Sequence, residues 1–286
     1  MSQATGKGRN ETQWPTPAID GHTKVVGIVA DPIGQVRTPQ AFNALMAARG
    51  INAVVVPLQV APGGFAAAVK IFAQVRSMAG LVVTIPYKES ILPLCDELTD
   101  AARQVGAVNI VRFVRGADAD ADSVRMIGSN LDGEGFAGGL LEQGHALAGR
   151  EVYLAGAGGA AKAIAHALAG QGVAAIGIHN RNPERAAQLV AELQRYYPQL
   201  RAYVAPAVPR DCTLAINSTS LGLAEGDPLP FPVDQLPPGA LVAEAVMKVE
   251  LTPLLAAAQA RGLTVHYGRH MMETQIERMA QFLGLL

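Results

Sequence analysis

From residue 24 onward, short runs rich in β-branched residues alternate with alanine-rich segments of helical period. In the first half, strands are predicted over residues 24–30, 52–58, 80–86 and 108–114, and helices over 40–49, 64–78 and 91–105. Short apolar runs bounded by turn residues are typical of strands, and a glycine that stops an apolar 3.6-residue period is typical of a helix end. Strands and helices that alternate in this way predict a parallel sheet covered on both faces.

The same alternation restarts at Glu151, after a hydrophilic stretch (116–123) and a glycine-dense passage. Further strands are predicted within 213–220, 240–246 and 263–268, with a helix over 253–261. The last predicted helix, 271–283, has a period that allows it to pack back onto the first half. A chain of 286 residues is long enough for two domains of about 100–150 residues each, so we expect two α/β domains.

Composition excludes several classes of protein. Hydrophobic residues make up 50% of the chain, and 23 basic residues nearly balance 24 acidic ones, without a block of like charge. We therefore expect no nucleic-acid partner and no membrane association. The polar first 22 residues lack the apolar core of a secretion signal and are expected to be a disordered leader of a cytoplasmic protein. Cys95 and Cys212 are far apart, which argues against a disulfide or a thiolate metal site.

The sequence GAGGAA at 156–161 lies between a predicted strand and a predicted helix. Gly156 allows a tight turn after the strand, Gly158 allows the backbone to approach a pyrophosphate, and Ala161 allows close helix packing. An isolated match in a chain with 30 glycines is weak, but its position between strand and helix favours a dinucleotide site over an empty turn. The predicted contacts are Gly156, Ala157, Gly158, Gly159 and Ala160.

The next strand ends at Asn180 and Arg181, where NAD-binding proteins usually place a carboxylate against the ribose. Asn180 can bind the ribose, and Arg181 can pair with a 2′-phosphate, so the sequence favours NADP. The alternative is that Arg181 is a solvated loop residue before a helix. Nearby Glu184 keeps NAD open as a cofactor.

Nine segments, in order and over nearly the whole chain, together resemble the shikimate dehydrogenase family, which includes quinate dehydrogenases. They are DPIGQVRTP, GLVVTIPYKE, GAVNIV, GSNLDGEGF, AGAGGAAKA, NRNPERA, NSTSLGL, LTPLLAAAQARG and GRHMMETQ. The resemblance implies an N-terminal α/β substrate domain with a mainly parallel sheet and a Rossmann-type dinucleotide domain. The implied bounds are 23–131 with 269–286 for the substrate domain and 132–268 for the Rossmann domain.

By the same resemblance, Lys88 and Asp132 match the family's catalytic pair. Oxidation of a secondary alcohol releases a hydroxyl proton, which a lysine can accept when a partner holds it in place. Without the family, Lys88 would be read as a surface lysine and Asp132 as a turn residue. The resemblance also implies substrate ligands and further cofactor contacts. These are Thr38, Thr84, Asn109 and Gln275 for substrate, and Ser218, Thr219, Ser220, Gly268 and Met271 for cofactor.

Five positions depart from the family pattern, each from a polar to an apolar side chain. They are Val36, Val82, Ile110, Leu131 and Met247. A site that binds a substrate hydroxyl discriminates strongly against analogues that lack it, so losing such groups should change the preferred ligand. The sequence therefore predicts a divergent family member whose exact ring substrate stays open.

The resulting prediction is an NAD(P)-dependent alcohol dehydrogenase that acts on a small hydroxylated alicyclic acid, such as shikimate, 3-dehydroshikimate or quinate. The expected cofactor is NADP, with NAD as the alternative, and the expected assembly is a monomer or homodimer. We expect no metal, because His266 and His270 are separated by a helix-breaking glycine and lack a third ligand. A rival interpretation is a dinucleotide-binding sensor with little turnover, which would have no reason to keep Lys88 and Asp132.

Overall fold

A computed structural model describes residues 18–116 and 123–286. These residues form two six-stranded sheets with helices packed on them, a mixed α/β fold. The predicted leader falls mainly on residues 1–17, which lie outside the described residues. Among the described helices, none is long and apolar enough to cross a membrane.

The first sheet has the strand order β2-β1-β3-β5-β6-β4. Pairs β1–β2, β1–β3 and β4–β6 are parallel, whereas β5 runs antiparallel to both β3 and β6. The sheet is thus mainly parallel, with one reversed strand. Its strands are β1 Lys24–Ala30, β2 Ala53–Gln59, β3 Met78–Val83, β4 Glu97–Leu98, β5 Ile110–Arg115 and β6 Val124–Ser129.

The second sheet has the order β12-β11-β10-β7-β8-β9, and all its pairs are parallel. The order reverses between β7 and β10, which is where open α/β sheets bind ligands at the carboxyl ends of their strands. Its strands are β7 Glu151–Ala155, β8 Ala175–His179, β9 Arg201–Val204, β10 Leu214–Asn217, β11 Leu241–Glu244 and β12 Thr264–His266.

Eight α-helices surround these sheets in the described residues, and two of them join the halves of the molecule. Helix α4 leads from the first sheet into the second, and α8 begins after the last strand. Met271 of α8 packs in the core of the second sheet, whereas Ile276 and Met279 pack in the core of the first. The helices are α1 Thr38–Ala48, α2 Phe65–Gln74, α3 Asp100–Val105, α4 Asp132–Glu142, α5 Gly159–Gly170, α6 Pro183–Tyr196, α7 Pro253–Ala260 and α8 Gly268–Phe282.

The predicted helix over 91–105 is wrong. A short 3₁₀ helix at Leu92–Leu94 is followed by β4, and only α3 is α-helical. Pro93 removes a backbone donor, and Thr99 caps the new helix by accepting a hydrogen bond from the backbone of Ala102. Strands β6 and β9 and helix α4 were not predicted from the sequence, α4 because its four glycines obscure its helical period.

Candidate active site

Lys88 and Asp132 meet beyond the carboxyl ends of strands β3 and β6 of the first sheet, although 44 positions separate them. Lys88 lies in the turn after β3, and Asp132 is the first residue of α4. The Lys88 Nζ lies 2.6 Å from Asp132 Oδ2, and the two side chains are 30% and 14% exposed. A charge pair this short and largely shielded from water is stronger than an exposed ion pair.

Asp132 is the centre of the site because three side chains donate hydrogen bonds to its carboxylate. Asn109 Nδ2 donates to Oδ1 over 2.8 Å, Gln275 Nε2 donates to the same oxygen over 2.7 Å, and Lys88 donates to Oδ2. Burial by itself raises the pKa of Asp132, but the Lys88 charge and these hydrogen bonds outweigh it, so the pKa lies below its ordinary value. Asp132 is therefore ionised at neutral pH.

Backbone contacts fix the segments that carry the pair. The backbone of Leu131 donates to Asn109 Oδ1 over 3.0 Å, which ties the start of α4 to the segment before β5. The Lys88 carbonyl accepts from the backbone of Val108 over 2.8 Å. Next to Lys88, Tyr87 stacks on Phe65 with ring centroids 4.1 Å apart. These contacts limit the freedom of Lys88 without engaging its ammonium group.

The predicted substrate ligands Asn109 and Gln275 thus join the pair directly, whereas Thr38 and Thr84 do not. Thr38 begins α1, and Thr84 follows β3. Within the residues described, neither threonine hydroxyl makes a hydrogen bond, and both side chains are partly exposed. Both hydroxyls are therefore available to a ligand.

Four of the apolar replacements belong to the core of the first sheet. Val82, Ile110 and Leu131 are buried there, and Val36 packs against the same cluster. These side chains add apolar contacts beneath the site instead of hydrogen-bonding groups. Met247, by contrast, is 43% exposed and follows β11 of the second sheet.

The glycine-rich turn joins β7 to α5 with an open helix N-terminus. Gly156 has φ +114°, and a Cβ there would lie 2.7 Å from Ser218 Oγ, so only glycine fits. A Cβ on Gly158 or Gly159 would meet nothing within 4 Å, and no side chain caps α5. Free backbone N–H groups at an uncapped helix start suit a pyrophosphate, so this turn fits a dinucleotide.

Two guanidinium groups lie near the end of β8, the strand that pairs with β7. Arg181 follows β8, and Arg185 lies in the first turn of α6; neither forms an ion pair within the described part of the chain. Asn182 caps α6 by accepting from the backbone of Glu184, and Asn180 Nδ2 donates to the Asn182 carbonyl. Arg185 was not among the residues predicted from the sequence, although its spacing of four from Arg181 is visible there.

The predicted contacts after β10 differ in what their side chains do. Ser218 Oγ donates to the Ala155 carbonyl over 2.7 Å and so packs on the glycine turn. The Thr219 hydroxyl donates to Asn217 Oδ1 over 2.7 Å and accepts from the backbone of Leu221 over 3.1 Å. Both hydrogen bonds of this hydroxyl are thus made within the chain. Ser220 is exposed.

Gly268 and Met271 lie at the start of α8. A Cβ on Gly268 would lie 2.1 Å from the Val246 carbonyl oxygen, so the helix can begin there only at a glycine. Met271 is 4% exposed and packs in the core of the second sheet with Phe136 and Leu154. Its side chain contributes to packing.

Three histidines cluster near this helix start. The rings of His145 and His270 lie 6.0 Å and 5.0 Å from that of His266. Across the residues described, however, no group of three or more His, Cys, Asp or Glu residues is arranged to hold a metal ion.

Comparison with known families matches both halves of the chain. Residues 28–111 match the model described as shikimate dehydrogenase substrate binding domain, and residues 140–220 match that of shikimate / quinate 5-dehydrogenase. The two matches fall on the two sheets.

Three relatives illustrate the similarity. The shikimate dehydrogenase (NADP(+)) of Rubrobacter xylanophilus is 38% identical over 274 residues, which cover 94% of each chain. The crystal structure of shikimate 5-dehydrogenase from Listeria monocytogenes in complex with shikimate and NAD is 29% identical, with a TM-score of 0.82 over 95% of this chain and 94% of that one. The 5-ketofructose reductase of Gluconobacter sp. strain CHM43 is 28% identical, also with a TM-score of 0.82, over 91% and 92%.

Proposed function

The chain belongs to the shikimate dehydrogenase family, and from that premise we propose that Lys88 and Asp132 carry the proton transfer of its oxidoreductase reaction. The protein is an NAD(P)-dependent oxidoreductase, and its curated relatives use NADP. The proposed substrate is a hydroxylated alicyclic carboxylic acid of the shikimate, 3-dehydroshikimate or quinate type. The proposal assigns substrate binding to 23–131 with 269–286 and cofactor binding to 132–268.

The observation that carries the proposal is the short contact between Lys88 and the Asp132 carboxylate, which also accepts hydrogen bonds from the Asn109 and Gln275 amides. In the reducing direction, hydride adds to the carbonyl carbon, and the Lys88 ammonium gives a proton to the carbonyl oxygen, which becomes the alcohol. In the oxidising direction the neutral lysine takes that proton back. Asp132 stays ionised throughout and orients Lys88, while Asn109 and Gln275 hold Asp132.

When bound, the nicotinamide cofactor accepts or supplies the hydride. On the protein side, we propose that the backbone of 156–160 binds the pyrophosphate and that Arg181 pairs with the 2′-phosphate. Asn180, Ser218, Thr219 and Ser220 complete the proposed cofactor side, with Gly268 and Met271 shaping it through packing. The absence of a carboxylate directly after β8 supports NADP over NAD.

On the substrate side, the proposal gives Thr38, Thr84, Asn109 and Gln275 the hydrogen bonds to ring hydroxyl or carboxylate groups. The apolar core beneath them supports a ligand with fewer recognised hydroxyls than a fully polar site would take. A screen should therefore include shikimate, quinate and less hydroxylated cyclohexane carboxylic acids. It should also include 5-ketofructose, the substrate named for one structural relative.

The central test is the Lys88→Ala variant, assayed with NADP and NAD against the best substrate of the screen. Because the variant loses the proton donor, we expect kcat to fall by about 10²- to 10⁴-fold, with NADPH affinity nearly unchanged. The matched control is Lys70→Ala, which removes an exposed lysine of α2. A Lys88→Ala enzyme with wild-type kcat would refute the assignment. A wild-type protein that binds NADPH yet turns over none of the substrates would support the sensor interpretation instead.

A further inference from the structure

Three polar side chains are completely buried beside the proposed cofactor loop, and the proposed reaction does not use them. They are Asn217 at the end of β10, Glu244 at the end of β11, and Thr252 before α7; none has exposed surface. A buried carboxylate is costly unless hydrogen bonds satisfy it. The presence of this carboxylate in a core of alanine, valine and leucine therefore has to be explained by its hydrogen bonds.

The Glu244 carboxylate is held by neutral donors alone. Its Oε1 accepts from Asn217 Nδ2 over 2.9 Å and from the backbone of Val246 over 3.0 Å. Its Oε2 accepts from Thr252 Oγ1 over 3.0 Å and more weakly from Asn217. Burial raises the pKa of Glu244, and these hydrogen bonds oppose that rise. In the described structure no cation pairs with it, so its acceptor oxygens serve to fix the donors in place.

Asn217 links the Glu244 carboxylate to the loop that follows β10. Its Nδ2 donates to both Glu244 oxygens and to the Leu221 carbonyl, and its Oδ1 accepts from both the backbone and the hydroxyl of Thr219. An asparagine amide has a fixed donor end and a fixed acceptor end. Glu244, by engaging the donor end, sets which end faces Thr219 and so sets the shape of the 218–221 loop.

We propose that Glu244 is a positioning residue for the cofactor: through Asn217 it holds the 218–221 loop in the shape that binds the nicotinamide side of NADP. This inference rests on the proposed function, which gives that loop its cofactor role. Glu244 itself touches neither cofactor nor substrate. Its effect is confined to cofactor binding, because none of its hydrogen bonds reaches Lys88 or Asp132.

Glu244→Gln is the direct test, since it keeps the size of the side chain but turns one acceptor oxygen into a donor. We expect KM for NADP to rise by about 3- to 10-fold, as for the loss of one ordinary hydrogen bond, while KM for the alcohol substrate stays within about twofold. If Glu244 only stabilised the fold, Glu244→Gln would lower the melting temperature and leave both KM values unchanged. The control is Glu142→Gln, an exposed carboxylate that accepts one hydrogen bond from Thr274.

Thr219→Val provides a second route to the same link, and because Thr219 is only partly buried, this variant is the one to use if Glu244→Gln does not fold. It removes the hydroxyl that donates to Asn217 Oδ1, and, like Glu244→Gln, it should raise KM for NADP. Because both changes break one chain of hydrogen bonds, the double variant should lie within about twofold of the weaker-binding single variant.

The outcomes separate this inference from the proposed function. Wild-type turnover with an unchanged KM for NADP in Glu244→Gln and Thr219→Val would overturn the inference and leave the proposed function intact. Independent, multiplying effects in the double variant would also overturn it. NADPH binding is measured in parallel by its fluorescence, and a wild-type protein that binds no NADPH would overturn both.

Discussion

At the end of β8, Arg181 and Arg185 offer two guanidinium groups that form no ion pair within the described residues. Neither is committed to holding the fold together. Glu184 lies between them in sequence, yet it too forms no ion pair in that part of the chain. Both guanidinium groups are therefore free to pair with a phosphate, as the proposed function requires of Arg181.

Arg181→Ala should raise KM for NADP by about 10- to 100-fold and change KM for NAD by less than about twofold. The reason is that a guanidinium–phosphate contact is charge-assisted, whereas the ribose hydroxyl of NAD offers no charge to pair with. Steady-state kinetics with both cofactors measure this. Arg125→Ala, which removes an exposed ion pair of the first sheet, is the control. Equal losses with the two cofactors would show that Arg181 does not read the 2′-phosphate.

Single site residues could be predicted from the sequence where they belong to a motif. Residues whose role depends only on their position in the folded chain could not. Lys88 and Asp132 could be paired from the resemblance, and the structure brings them to 2.6 Å. Nothing in the sequence marks Glu244, because its importance comes from burial next to Asn217 and Thr252, which lie 27 and 8 positions away. Burial and donor direction are properties of the folded chain.

Among the elements, α4 shows how glycines let a neighbouring helix bring Gln275 to Asp132. A Cβ on Gly135 would lie 2.9 Å from both the Gln275 Cβ and the Met271 carbonyl oxygen of α8. Gly139 faces the backbone of His270 at a similar distance. The missing side chains let the two helices approach closely enough for Gln275 to reach Asp132, one turn before Gly135.

Gly135→Ala should therefore push α8 away and weaken the hydrogen bond from Gln275. We expect a loss of about 1–3 kcal/mol in the free energy of unfolding, as for overpacking, together with about a tenfold fall in kcat/KM. Chemical denaturation and steady-state kinetics measure the two effects. Gly170→Ala is the control, because a Cβ there meets nothing within 4 Å and a helical alanine should stabilise slightly. Full activity in Gly135→Ala would show that the helix spacing does not matter for the site.

Element prediction from sequence succeeded where the period was clean. The strand predicted over 24–30 has those bounds in the structure, since its β-branched residues lie in the buried centre of a sheet. The 91–105 segment failed because Pro93 and Thr99 outweigh its apolar period, and α4 was missed because its glycines carry no apolar signal. Helix α4 forms through packing against α5 and α8, which a local pattern does not contain.

For the molecule as a whole, buried histidines are expected to weaken the fold in acid. His166 of α5 is 4% exposed, and neither ring nitrogen has a hydrogen-bond partner among the described residues. Burial, helped by the Lys162 charge, lowers the pKa of His166 to about 4. Burial also lowers the pKa of His266 to about 3, with the neighbouring His270 and His145 adding to the effect.

The sign of the resulting pH dependence follows from proton binding. Below a pH of about 6.5 the unfolded chain protonates His166 while the folded chain does not, so stability falls as pH decreases toward the folded pKa of about 4. At pH 5 this one histidine should cost about 2 kcal/mol relative to neutral pH.

His166→Phe keeps a ring in the same place and removes the titration. It should therefore lose less stability between pH 7 and pH 5 than the wild type does, as followed by denaturant midpoints. His22→Gln, at an exposed position, is the control. An unchanged pH dependence in His166→Phe would mean that His166 does not control the acid response.

The path of α8 through both cores also orders events during synthesis. All six strands of the first sheet precede residue 130, yet Ile276, Met279, Ala280 and Leu283 complete its core. On the ribosome, the first half of the protein must wait with an open apolar face while the entire second sheet is made. The half that emerges first is thus the half that closes last, and chaperones have a long interval in which to meet it.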